Sequence, residues 1–263
     1  MASQASTFPG PETSRNGTMS FLGHLEELRR RLIYSAVGIA ASFGLCWMYC
    51  DRIYAYMSYP ITFALARHGL SQQLTYLNPT EPFNVYLKVS LLAALFVASP
   101  FLLYQVWMFI SPALYRHEKR YVAPFVFSTV ALFLAGGFFA YRVVYPQALE
   151  FLIGYGAQFK PMITVSEYTD LFLTIMLGLG LVFELPVLAF FLSFMGMVTA
   201  GWLWKNLRYS ILIIFGIAAI VTPTTDIMNM CIFAAPMIGL YLVSIGIAAF
   251  AHPSRRKSAQ IRG

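Results

Sequence analysis

The chain has 263 residues, of which 59% are hydrophobic, 16% aromatic and only 11% charged, a balance that no soluble globular surface sustains. Its mean hydropathy of +0.66 places it in a bilayer. The net charge of +7 and pI near 9.4 come without a basic stripe interleaved with aromatics, so nucleic acid is excluded as an expected partner; basic loops beside a membrane account for the sign.

Residues 1–18, "MASQASTFPGPETSRNGT", are polar and rich in Pro, Gly, Ser and Thr, which predicts a disordered tail and neither a cleavable signal nor a folding unit. Residues 19–250 form the membrane domain and residues 251–263 a basic tail. A spanning helix needs ~20 mostly apolar residues. Runs near 31–50, 83–110, 122–143, 169–195 and 228–250, with a shorter one near 209–221, predict six transmembrane helices.

Two lengths stand out. From Pro82 to Ile110 a helix would run roughly 40 Å, beyond the ~30 Å hydrocarbon core, so it tilts, bends at Pro100 or projects. Tyr209 to Val221 rises only ~20 Å, so this span thins the bilayer or turns back at "TPTTD". Backbone that turns below a membrane surface needs protein or water around it. The expected all-α bundle is therefore concave and cup-shaped. The loops near 51–80 and 144–168 are long enough to cover the concavity, and Thr164 with Glu167 has the spacing of a capping box.

Lys and Arg are retained on the cytoplasmic side. Thirteen of them, from Arg15 and Arg29 through Arg116, Lys205 and Arg262, fall in alternate segments that include both ends, against four (Arg52, Arg67, Arg142, Lys160) in the others. Both termini are expected in the cytoplasm. Lys88 lies within the second span and reads as a lysine reaching out of its outer end. The cysteines, Cys46, Cys50 and Cys231, all sit in apolar runs and read as small buried hydrophobes. Cys46 and Cys50 would share a helical face, but no further Cys or His ligand lies near them, so no metal is expected.

The stretch "GHLEELRRRL" before the first span puts Glu26, Glu27, Arg29, Arg30 and Arg31 into six residues. As a helix it allows internal ion pairs, with Leu25, Leu28 and Leu32 toward the membrane. One reading is an interfacial anchor; the second carboxylate argues against it, because an anchor gains little from adjacent acids. Glu118 sits among Arg116, Lys119 and Arg120 and alone reads as a solvated partner. Glu184, in "LVFELPVLAF", lies near the middle of the fourth span, where an acid costs on the order of 2.5–3.5 kcal/mol and is functional by default. The other reading is a protonated glutamic acid bonded to a neighbouring helix. Pro186 frees a backbone carbonyl one turn back. Asp226 reads as the start of the last helix.

No Ser/His/Asp set, zinc-protease motif or phosphate-cradling loop occurs. No catalytic residue, cofactor or metal is therefore expected.

Taken together, "FLGHLEELRRRL", "YQVWMFISPALYRHEKR", "FELP" and the "TP" preceding Asp226, in this order from about Met19 to Phe250, resemble the TatC family. That family is the multispanning receptor of the twin-arginine protein translocase. The resemblance implies six helices, a cup shape and cytoplasmic termini, and the absence of a transit-like Arg- and Ser-rich presequence favours the bacterial inner membrane. It implies binding of signal peptides with consecutive arginines on folded cargo, driven by the proton-motive force. On it, Glu27 and Glu118 would take the two arginines, Arg29 would orient Glu27, and Gln105, Phe109 and Pro100 would shape the pocket. Glu184 would meet the single-span partners TatA and TatB, with Asp226 a further polar position and several copies per complex. A guanidinium can bond a carboxylate bidentately and an ammonium cannot, which fits this role. "RRRLIY" itself looks like a twin-arginine signal, but five further spans argue for a receptor. The alternative is a proton-coupled small-molecule transporter using Glu184; such proteins show internal repeats, and the halves here share no similarity.

Overall fold

The computed structural model describes residues 21–110, 122–156, 159, 161–221 and 227–251. The 1–18 tail lies outside them, as does the basic tail beyond Ala251. Among the described residues the chain is helical, apart from short connections and one isolated parallel bridge.

Helix α1 (Phe21–Met48) carries the first apolar run and breaks at Tyr49 (φ −115°, ψ 19°). The break falls between Cys46 and Cys50, so the two do not share one helix face as expected. Cys46 is buried and Cys231 exposed, which also corrects the reading of all three as buried. Helix α2 (Cys50–Arg67) occupies much of the loop expected near 51–80, with Asp51 in its first turn and Arg67 in its last, each complementing the helix dipole. It ends at Gly69 (φ +67°), where Leu70 N–H donates to Leu65 O (2.9 Å) and Gly69 N–H to Ala66 O (3.1 Å). This is a Schellman closure, and it favours glycine.

Helix α3 (Glu81–Ile110) has 30 residues and is ~45 Å long. Pro100 lies within it and removes the bond to the Phe96 carbonyl, which instead accepts from Ser99 Oγ at 2.8 Å. Helix α4 (Val122–Phe139) continues through a π turn (Ala140–Val144) into α5 (Tyr145–Tyr155). The turn precedes Pro146, whose missing N–H interrupts the ladder there. The result is a run of 33 residues, Ala123–Tyr155, longer than the expected 122–143, and α5 packs on α2.

Helix α6 (Val165–Val182) is capped by Thr164, whose Oγ1 accepts from Glu167 N–H at 3.3 Å. It is interrupted at Phe183 and Glu184, then resumes as α7 (Leu185–Phe194). A short α8 (Ala200–Lys205), capped by Thr199, leads to α9 (Leu207–Val221) and α10 (Ile227–Ala251). Four segments, α1, α3, α4 to α5 and α6 to α7, are long and apolar enough to cross a membrane, and two shorter apolar stretches lie in α9 and α10. With 15 residues, α9 rises only ~22 Å, and this leaves the bundle thin on that side.

Helix α1 leans on α3, which also packs on α4 and α6; α10 joins α7 to α9. Prolines serve the packing by freeing carbonyls. Pro60 in α2 leaves Tyr56 O without its helical donor, and Tyr141 OH fills the place at 2.8 Å; Tyr168 OH donates to Met57 O beside it. The expected cover over this end is thus α2, bolted to the π turn and to α6. Thr75 and Thr164 pair the two loops, with Thr75 N–H to Ile163 O (3.0 Å) and Val165 N–H to Thr75 O (2.9 Å). Lys88 does more than reach outward: its Nζ lies 2.5 Å from Asp170 Oδ1 and ties α3 to α6.

The crossing of α4 with α6 and α3 depends on absent side chains. A Cβ on Gly136 would sit 2.9 Å from the Leu179 carbonyl oxygen, and one on Gly137 would sit 2.3 Å from the Phe96 ring. Gly136→Val is expected to destabilise the bundle by about 1–3 kcal/mol, since backbone cannot yield as a side chain can. A thermal melt of the detergent-solubilised protein checks this; an unshifted midpoint would mean that the helices separate freely.

Candidate functional site

At the end of the bundle opposite α2, the first turns of α1 meet the last turns of α3. Each helix presents one face by simple periodicity. On α1, Glu27 and Arg31 are four apart and His24 lies three before Glu27; on α3, Gln105 and Phe109 are four apart. The two faces join through one side chain. Arg31 Nη2 donates to Glu27 Oε1 at 3.3 Å and Nη1 donates to Gln105 Oε1 at 2.9 Å. Below this bridge the His24 ring stacks on Phe109, with centroids 4.4 Å apart and planes 23° apart.

Glu27 is only 9% exposed, in a helix α1 otherwise largely open to its surroundings, and Gln105 of α3 is 5% exposed. Burial of a carboxylate demands paired oxygens. Glu27 Oε2 nevertheless has no partner among the described residues, and neither does Arg31 Nε. An open groove of about 520 Å³ runs beside Glu27, lined by Gly23, Glu26, Glu27, Arg29, Arg30, Ile33 and Tyr34. A buried anion with an unused edge, next to a groove and an aromatic ring, suits an incoming cation that brings its own donors.

The structure thus brings together Glu27, Gln105 and Phe109. Among the described residues it does not bond Arg29, expected to orient Glu27, to that carboxylate. Arg29 is exposed, and the guanidinium bonded to Glu27 belongs to Arg31. The reason is angular: at ~100° per residue, position i+2 lies on nearly the opposite side of a helix and i+4 on the same one. Leu25, Leu28 and Leu32 are exposed beside Arg29, as expected for a lipid-facing stripe. Pro100 is exposed and lies within α3, more than a turn before Gln105. Glu118 and Asp226 lie outside the described residues. Arg31 and His24 were not singled out in the sequence as site residues. The i,i+4 spacing of Glu27 and Arg31 was legible there, but Gln105 lies 74 residues from Arg31, and nothing local announces that contact.

Glu184 forms a second polar feature, apart from the first. It stands where α6 gives way to α7, its carbonyl accepting from Leu188 N–H at 2.9 Å. Its carboxyl Oε1 is buried without a partner among the described residues. Phe183, its neighbour, sits against Gly136 of α4. An intramembrane acid with an unused oxygen offers one strong hydrogen-bonding position to a polar group on another helix.

The family model described as Sec-independent protein translocase protein (TatC) matches residues 23–236 of this chain. A Sec-independent protein translocase protein TatC from Koribacter versatilis is 68% identical over 239 residues, covering 91% of this chain and 88% of its own. One from Helicobacter pylori is 37% identical over 232 residues, covering 88% and 89%. A crystal structure of a twin arginine translocase receptor, TatC, aligns with a TM-score of 0.77 at 35% identity, covering 87% of this chain and 99% of that one. A second, in DDM, gives 0.78 at 35% identity over 86% and 99%.

Proposed function

This chain belongs to the TatC family of Sec-independent protein translocase proteins, and from that premise we propose that it is the receptor for twin-arginine signal peptides of folded proteins. Glu27 takes the guanidinium of one arginine and Glu118 that of the other, with Gln105 and Phe109 in the pocket wall. The observation that carries the reading is that Glu27 lines an open groove while its buried Oε2 has no partner among the described residues. A guanidinium fork satisfies such an edge with two coplanar donors, and it sheds its weakly held water at lower cost than an ammonium does.

The wider assignment follows from the same premise and from the charge pattern. The protein lies in the bacterial inner membrane with both termini and the Glu27 end in the cytoplasm. Residues 19–250 make up the transmembrane domain, between a disordered tail at 1–18 and a basic one at 251–263. Single-span subunits of the TatA and TatB type assemble on it at Glu184 in several copies, and the proton-motive force drives export. It performs no catalysis and uses no cofactor.

The deciding experiment is a titration of purified, detergent-solubilised protein with a labelled twin-arginine signal peptide, and with the twin-lysine version beside it. The arginine peptide is expected to bind saturably and at least about tenfold more tightly, the equivalent of ~1.4 kcal/mol. Equal binding of both peptides would remove the receptor reading.

A further inference from the structure

Of the three arginines that follow Glu27, only one is spent inside the fold. Arg29 and Arg30 are exposed, whereas Arg31 is half-buried and spans two helices, one amino group on Glu27 of its own helix and the other on Gln105 of α3. Both acceptors are buried. Arg31 is thus fixed at three points, its backbone and two hydrogen bonds, and Gln105 stops it from following Glu27 if that side chain swings.

The bond to Glu27 is made by one arm only. A carboxylate has about four lone-pair sites, and Arg31 engages Oε1 alone, at 3.3 Å, leaving Oε2 without a partner among the described residues. Its own Nε–H is left over as well. Among the described residues the unpartnered atoms are therefore one acceptor and one donor, both buried. A basic peptide completes both, with a side-chain N–H for the acceptor and a backbone carbonyl for the donor, whether the side chain is arginine or lysine.

We infer that Arg31, braced by Gln105, is a positioning and specificity residue that holds the Glu27 carboxylate edge toward the groove and sets the preference for arginine over lysine peptides; the inference rests on the receptor reading above. The preference comes from immobilisation. A bidentate contact needs both carboxylate oxygens coplanar with the fork, so it gains from an edge already fixed. A single ammonium contact is indifferent to that plane. If the brace is loosened, the fork loses its advantage and the ammonium does not.

The test uses the full chain in detergent, with labelled twin-arginine and twin-lysine signal peptides, and variants Arg31→Gln, Arg31→Lys and Gln105→Leu. Arg31→Gln is expected to weaken the arginine peptide about tenfold while leaving the lysine peptide nearly unchanged, so that the ratio of affinities falls toward one. Arg31→Lys keeps the charge but cannot bridge two acceptors in one plane; its ratio is expected to fall as well. Gln105→Leu is expected to lower the ratio alone and to add nothing in the Arg31→Gln background, because the two act through one chain of contacts. If Arg31→Gln does not fold, Arg31→Lys and Gln105→Leu decide. A variant that weakens both peptides equally, or neither, overturns the inference and reduces Arg31 to a clamp between α1 and α3. Failure of the unaltered protein to discriminate removes the receptor reading and this inference together, whereas discrimination that survives in the variants removes only this one.

Discussion

Glu27→Gln is expected to abolish export of twin-arginine cargo while leaving the protein inserted and folded. Glutamine has nearly the shape of glutamate and suits a helix, so α1 forms and leans on α3 as before. What changes is the charge. The buried position loses its anion and presents an amide whose NH2 group is a donor facing a donor. Loss of one partner of a buried charge pair costs about 2–5 kcal/mol, on the order of thirty- to several-thousand-fold in affinity. Peptide titration on the purified variant measures the binding loss, and a folded twin-arginine reporter in cells carrying only the variant measures export. Near-normal binding would place the guanidinium elsewhere, with Glu118 the first position to examine.

Glu184→Ala is expected to separate two activities that Glu27→Gln leaves entangled. Glu184 lies at the α6 to α7 interruption, with an oxygen that no described residue satisfies; it is not part of the Glu27 cluster. Its removal is expected to leave twin-arginine peptide binding unchanged and to weaken retention of TatA- and TatB-type subunits. A hydrogen bond to an acid within protein contributes about 1–3 kcal/mol, so retention would drop about five- to hundredfold. Co-purification of the tagged variant with its single-span partners, at matched expression, checks it. Undiminished recovery of both subunits would return Glu184 to a purely structural role, and Glu184→Gln would show whether the carboxyl proton or only its shape matters.

These two effects differ in how far the sequence alone announces them. Glu184 is conspicuous, an acid inside an apolar run. Glu27 is one charge among five, and only its place in the fold separates it from Glu26, which is exposed while Glu27 is buried. Adjacent residues on a helix lie ~100° apart, and the direction of α3 decides which of them is covered. The same angle separates Arg29 from Arg31: the residue bonded to Glu27 has to share its face, and Arg31 does. Lys88 read as a lone lysine because its partner Asp170 lies 82 residues away.

The sequence by itself determined that this protein lives in a membrane, that six apolar helices build it, that the second is too long and the fifth too short for a bilayer, and that charge gathers ahead of the first. All of these are local properties, set by composition and run length over a few tens of residues. The tertiary structure alone decided that Gln105 braces Arg31, that tyrosines of the π turn and α6 fasten α2 through carbonyls at Tyr56 and Met57, and that α4 approaches α6 closely enough to exclude a Cβ at Gly136. Each of these joins segments far apart in the chain. Which residues meet there depends on the angle and depth at which whole helices pack, and no periodicity within one helix contains that information.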